Sequence, residues 1–217
     1  MSIKINLYIF LFVILFFLTS QFELYALIML FALLHEFGHL ICGIILGFQV
    51  KSLNVMPLGF SVEFYTNIDE YNIKIKKSNL LTLKKLLIDI AGPFINICII
   101  IFSYIYELPN NIIYSNLIIL LVNLIPIYPL DGGRILRNIL KINLKNIDAY
   151  KYTNITSNVF CIIISIVSSI TIVYYKNISI FFSIFFIWIL IFNENKRYNT
   201  YKRIYKIIES EETNEKL

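Results

Sequence analysis

The sequence predicts an all-α polytopic membrane protein, with six transmembrane helices and a short β-hairpin or re-entrant segment between spans two and three. Three observations carry this reading. Of 217 residues, 58% are hydrophobic and 15% charged, with a mean hydropathy of +0.74, a balance foreign to soluble domains. The apolar residues gather into six runs, 5–20, 24–46, 86–106, 112–130, 155–175 and 178–192; the first and last are short for a hydrocarbon layer of about 30 Å. With six spans, every Lys and Arg except Lys176 falls on one side, so the positive-inside rule puts both termini in the cytoplasm. Removing any one span scatters these charges. The net charge of +5 is therefore explained by loops beside the lipid bilayer of the cell membrane, and no nucleic acid is needed as a partner.

Span one starts weakly basic at Lys4, lacks a small-residue cleavage site before Gln21-Phe22-Glu23, and runs almost directly into span two. It reads as a membrane helix and not as a cleaved signal peptide.

Span two carries His35-Glu36-Phe37-Gly38-His39, and these two histidines are the only ones in the chain. In a helix they stand one turn apart on one face, where two imidazoles can converge on a metal ion with Glu36 beside them. This is the spacing of a zinc hydrolase, in which the adjacent carboxylate takes a proton from water at the metal. The bland alternative is a pair of satisfied core histidines. Against it, each ionisable group in mid-span costs about 2 to 3 kcal/mol or more without a partner, and a metal in a hydrated cavity offsets that cost. Cys42, Cys98 and Cys161 each lie within a span and read as small packing residues without a disulfide framework. Cys42 shares the face of His35, which makes it an alternative, weaker ligand candidate.

After Gly47 the pattern changes. Residues 50–65 are rich in β-branched and aromatic side chains around Pro57-Leu58-Gly59, which fits a strand pair or an extended re-entrant segment. Its functional reading is a sheet edge that accepts an extended peptide through backbone hydrogen bonds, because a helical substrate shields its amides until it is unwound. Its bland reading is an ordinary loop. Residues 69–85 are polar and basic.

In span three, Ala91-Gly92-Pro93-Phe94-Ile95-Asn96 interrupts the apolar run. Gly and Pro there permit close helix contact or a kink, and Asn96 is a hydrogen-bonding group for the interior. Span four ends in Asn123, Pro126, Pro129 and Asp131-Gly132-Gly133-Arg134, which predicts an irregular backbone around Asp131. Two imidazoles need a third protein ligand that leaves one position open. Asp131 is the choice; Asp89, four residues beyond Lys85, reads as an interfacial charge or a partner of a ligand.

Spans five and six contain no Asp, Glu, His, Lys or Arg and read as bundle packing. From Asn195 onward Tyr198, Tyr201, Ile204, Tyr205 and Ile208 recur at helical spacing among Lys and Arg, the pattern of an amphipathic helix on an anionic leaflet. The acidic residues 209–217 read as frayed. The expected organisation is thus a six-span core over 1–193 and a cytoplasmic tail over 194–217.

Three separated elements, the His35 to His39 motif, the Ala91-Gly92-Pro93 to Asn96 segment, and Asn123 to Gly133, together resemble the site-2 proteases, which are intramembrane zinc metalloproteases. The step from Asn123 to Asp131 and the Pro-Leu-Asp-Gly-Gly-Arg wording resemble the sporulation branch, whose member cleaves the precursor of the mother-cell factor sigma-K. The resemblance implies one zinc ion per chain held by His35, His39 and Asp131, Glu36 as catalytic acid/base, and Asn123, with Asn96 and Pro126, at the substrate or transition state. It implies a membrane-associated protein substrate, membrane regulatory proteins as partners, and a place in the mother-cell membrane surrounding the forespore. Residues 194–217 stand where that branch carries a nucleotide-sensing CBS domain, and neither a CBS domain nor a PDZ insertion is expected; a general bacterial site-2 protease acting on anti-sigma factors or signal-peptide remnants is the neighbouring reading. A prenyl-protein processing peptidase would take its third ligand from a Glu on a later span, and spans five and six offer none. A metal transporter or silent binding protein would spread polar groups through its depth, whereas here they cluster around one site.

Overall fold

The computed structural model describes residues 2–57, 59–65, 75–175 and 178–214. These form two compact units, Met1–Ile125 and Pro126–Leu217.

The first unit holds β1 (Ser2–Ile5), α1 (Tyr8–Leu18), α2 (Phe22–Ile45), β2 (Val50–Met56), β3 (Gly59–Phe64), α3 (Ile75–Ile105) and α4 (Asn110–Leu124). The strands form one sheet in the order β1-β2-β3, with β1 parallel to β2 and β2 antiparallel to β3. The expected hairpin is therefore present, paired from Met56↔Gly59 down to Val50↔Phe64. Gly59, at φ +144°, takes a conformation that a side chain would resist. Leu58 in its turn lies outside the described residues.

Strand β1 corrects the expected start of span one at Ile5. Asn6 accepts the Tyr8 amide on its side-chain oxygen at 3.0 Å, which resets the helix start, and the alternating Ser2–Ile5 segment pairs instead with the open edge of β2.

Helix α2 is the centre of this unit and packs against α1, α3, α4 and the hairpin. Its burial is the reverse of a soluble helix: His35, Glu36 and His39 are 2%, 8% and 2% exposed, while Phe37 and Ile41 are 45% and 53% exposed. A helix that turns its polar residues inward and its large apolar ones outward is suited to lipid and not to water. Phe31 and Ala32 on α2 pack with Ile119 on α4, flanked by Ile99 of α3 and Phe60 of β3. At Gly38 an added Cβ would come within 2.8 Å of the Ala91 carbonyl oxygen, so the missing side chain is what lets α2 and α3 approach so closely.

Helix α3 is continuous through Pro93, which corrects the expected interruption at Ala91 to Asn96. Pro93 offers no N–H to the carbonyl four residues earlier, yet packing against α2 and α4 keeps the helix whole. The helix also begins at Ile75, within the stretch read as polar and basic; residues 69–74 of that stretch lie outside the described residues.

The second unit contains α5 (Asp131–Asn143), α6 (Asn146–Tyr175) and α7 (Ile178–Asn214). Span four was expected to run to Leu130, but α4 stops at Leu124. Pro126 disfavours the helical region for the residue before it, and Ile125 is extended at ψ 133°. Asp131 was expected on an irregular backbone; it is the first residue of α5, after the extended Leu130. Gly132 and Gly133 belong to that helix. At Gly133 a Cβ would meet the Ile127 carbonyl oxygen at 2.6 Å, so the glycine clears a path for the segment folding back over the first turn.

The amphipathic segment expected from Asn195 continues α7 without a break. Lys176 and the end of the acidic tail, 215–217, lie outside the described residues. Among the described residues three helices are long and apolar enough to cross a membrane, Phe22–Ile45, Asn79–Ile105 and Asn146–Ile172. Helices α1 and α4 are apolar but have 11 and 15 residues, which at about 1.5 Å per residue falls short of a full crossing. Cys42, Cys98 and Cys161 are free thiols, and Cys98 is exposed where packing was expected.

Candidate metal centre

The spacing of His35 and His39 on α2 does what a helical repeat dictates, bringing their Nε2 atoms to 3.1 Å, with the rings 79° apart. Both imidazoles are almost wholly buried. Each is held from behind by α3. His39 Nδ1 lies 2.7 Å from the Ile88 carbonyl oxygen, so Nδ1–H donates to it and the Nε2 lone pair faces His35. On the other ring, His35 Nδ1 lies 3.1 Å from the Asn96 carboxamide.

Two imidazole nitrogens on a tetrahedral zinc at about 2.0 to 2.1 Å are separated by about 3.3 Å. The observed 3.1 Å is close to that spacing. Gly92 adds a second sign of fit: a Cβ there would fall 2.6 Å from His35 Nε2 and collide with His39 Nε2. Space at the two ligating nitrogens therefore depends on a missing side chain.

Glu36, 8% exposed, accepts the Val62 amide proton on Oε2 at 3.1 Å. Strand β3 is the outer strand of its sheet, and in an antiparallel ladder alternate residues turn their amides away from the partner strand. Val62 is one of these, so β3 presents to the carboxylate the edge that, among the described residues, pairs with no further strand. Asp89 is 7% exposed on α3, which corrects its reading as an interfacial charge. Asn123 is half-buried near the end of α4.

In the second unit Asp131 is 4% exposed at the start of α5, with Arg134 Nη1 4.0 Å from its Oδ1. Pro126 is half-buried in the segment before it. Tyr128 in that segment donates its amide to Ser157 Oγ at 2.9 Å, and its ring lies under the Arg137 guanidinium, 3.5 Å from centroid to Cζ. Arg137 is in turn paired with Glu194 of α7 at 2.7 Å.

The structure thus gathers His35, His39, Glu36 and Asn96 in the first unit and sets Asp131 and Pro126 in the second. Sequence reasoning missed the Ile88 carbonyl, the Val62 amide, the clearance at Gly92 and the Arg137 cluster. The one available signal was spacing: Ile88, Gly92 and Asn96 are four residues apart and fall on one stripe of α3.

The family profile of peptidase family M50 matches residues 106–167. The chain is 28% identical to stage IV sporulation protein FB of Bacillus subtilis over 68% of its own length and 50% of that protein. It is 31% identical to a zinc metalloprotease of Methanocaldococcus jannaschii over 63% of its own length and 39% of that protein. The chain therefore spans half or less of the curated relatives it matches. The solved structure of a site-2 protease from M. jannaschii has a similar fold, with a TM-score of 0.64 at 23% identity, covering 88% of this chain and 89% of that one.

Proposed function

We propose, for a chain that belongs to the site-2 protease family, that it is an intramembrane zinc metalloendopeptidase acting on a membrane-associated protein. The observation that carries this is the His35–His39 pair, whose Nε2 atoms converge at 3.1 Å beside the buried carboxylate of Glu36.

The residues that would hold zinc are His35, His39 and Asp131. The three donors are of the types zinc takes, and all are buried. When bound, the ion supplies Lewis acidity toward a peptide carbonyl and lowers the pKa of a water. Glu36 moves the proton: its carboxylate accepts one from the attacking water and returns it to the leaving amide nitrogen. The Val62 amide orients that carboxylate through Oε2. Asn123 and Pro126 serve the substrate side, Asn123 through its carboxamide and Pro126 by shaping the backbone that leads to Asp131.

The unpaired edge of β3 supports a route for substrate. An extended peptide laid along it would expose its carbonyls beside Glu36, which a helical substrate could not do. Six spans with cytoplasmic termini, a catalytic core over 1–193 and a tail over 194–217 complete the reading. A sporulation sigma-factor precursor such as pro-sigma-K is the proposed substrate, with membrane regulatory proteins as partners; the likeness to a stage IV sporulation protein supports it. The site of action is then the mother-cell membrane around the forespore.

The test is zinc stoichiometry of the purified protein, measured alongside cleavage of a co-expressed membrane-associated precursor. Glu36→Gln is expected to keep zinc and lose cleavage, and Asp131→Asn to lose both. A Glu36→Gln protein that still cuts would remove Glu36 from the role of base.

A further inference from the structure

We propose that Asn96 is a positioning residue that holds His35 in the tautomer able to ligate a metal. The proposal rests on the metallopeptidase reading and assigns Asn96 to the metal ligand and not to the substrate.

The argument begins with the two ring nitrogens of His35. A neutral imidazole carries one proton, and Nε2 can ligate only if that proton sits on Nδ1. His35 Nδ1 is 3.1 Å from the Asn96 amide nitrogen, and Asn96 is fully buried with its Oδ1 lacking a hydrogen-bond partner among the described residues. In that orientation Nδ2–H donates to Nδ1. The proton of His35 is then on Nε2, where it bridges to the lone pair of His39 Nε2 at 3.1 Å. With its proton on Nε2, His35 has no lone pair there for a metal.

The two ends of a carboxamide have nearly the same shape. With the amide turned over, Oδ1 accepts from Nδ1–H and both Nε2 lone pairs face one another, an arrangement that only a cation satisfies. A carboxamide can therefore serve both states, whereas a hydrophobic side chain serves neither. His39 needs no such device, because the Ile88 carbonyl can only accept. Ile88, Gly92 and Asn96 form one stripe of α3 that supplies an acceptor for one ring, clearance at the ligating nitrogens, and an acceptor for the other ring. Second partners of this kind fix ring orientation and raise ligand basicity, and their loss costs about 10- to 100-fold in metal affinity.

The experiment measures zinc affinity of the full-length protein in detergent by competition with a chelator, together with kcat and KM for a precursor. Asn96→Ala is expected to bind zinc about 10- to 100-fold more weakly, and to recover its kcat when zinc is raised to saturation. Asn96→Asp, which keeps an acceptor in the same place, is expected to return the affinity to within a few-fold of the natural protein. An Asn96→Ala protein with undiminished zinc affinity overturns the proposal, and if its kcat is low the residue acts on substrate. An Asn96→Asp protein that stays folded and binds as weakly as Asn96→Ala also overturns it. A natural protein that takes up no zinc would instead bring down the metallopeptidase reading beneath.

Discussion

The Val62 amide of β3 donates to Glu36 Oε2 at 3.1 Å, across 26 residues of sequence. A backbone group on a sheet edge thereby sets the orientation of the carboxylate proposed above to handle the proton. Val62→Pro deletes that N–H while leaving the ladder intact, because the amide points away from β2 and an edge strand tolerates proline. Loss of a hydrogen bond to a charged group is worth about 1.5 to 3 kcal/mol, so kcat is expected to fall by about tenfold or more, with zinc content unchanged. Steady-state kinetics with metal analysis on the same preparation reads both quantities.

Gly92→Ala separates helix propensity from clearance. In a helix interior, alanine is favoured over glycine by up to about 1 kcal/mol, which by itself predicts a more stable protein. At this position the new Cβ would stand 2.6 Å from His35 Nε2, so zinc affinity is expected to drop by at least an order of magnitude. Chelator competition should read the lost affinity, and a thermal melt of the metal-free protein should show no gain from the alanine, because the collision with His39 Nε2 is present without metal.

Arg137 and Glu194 form a buried pair, 6% and 8% exposed in their side chains, with the guanidinium over the rings of Tyr128 and Tyr150. Arg137→Met strands a buried carboxylate, and breaking such a pair costs about 3 to 5 kcal/mol. Removing both charges in Arg137→Met with Glu194→Met is expected to cost less than the single change. Thermal unfolding of the natural protein and the two variants in one detergent gives the comparison.

Glu63 on β3 provides a pH dependence outside the membrane spans. Burial pushes its carboxyl up, but hydrogen bonds from Asn54, Lys51 and Ser52, with the charge of Lys51, bring it below the usual range. A carboxylate whose folded pKa is depressed stabilises above its unfolded pKa of about 4.3, and that contribution is lost as pH falls through the folded value. Protection of the β2–β3 amides from hydrogen exchange is expected to hold near neutrality and to weaken as the pH drops below about 4. In Glu63→Gln this acid-side loss should be absent.

Much of the site was legible in the chain because it is local. His35 and His39 converge through the repeat of a single helix, and Pro57 with Gly59 announced the hairpin. Pro126 was read correctly as an end to helix, yet placed too late, because its effect falls on Ile125 before it. Asp131-Gly132-Gly133 looked like irregular backbone because glycine is a poor helix former. The close passage of Ile127 over Gly133 explains why glycine is used inside a helix there.

Composition and spacing alone determined that this is a membrane protein with two imidazoles and a carboxylate on one helix face, since hydropathy and helical repeat act within a few turns. Tertiary structure decided what stands behind those groups. The Asn96 amide reaches His35 across 61 residues and the Ile88 carbonyl reaches His39 across 49, while β1 lies beside β2 at a separation of 50. The two contacts to the histidines depend on how closely α3 can approach α2 at Gly38 and Gly92, and close approach is a property of two packed surfaces that neither segment carries by itself.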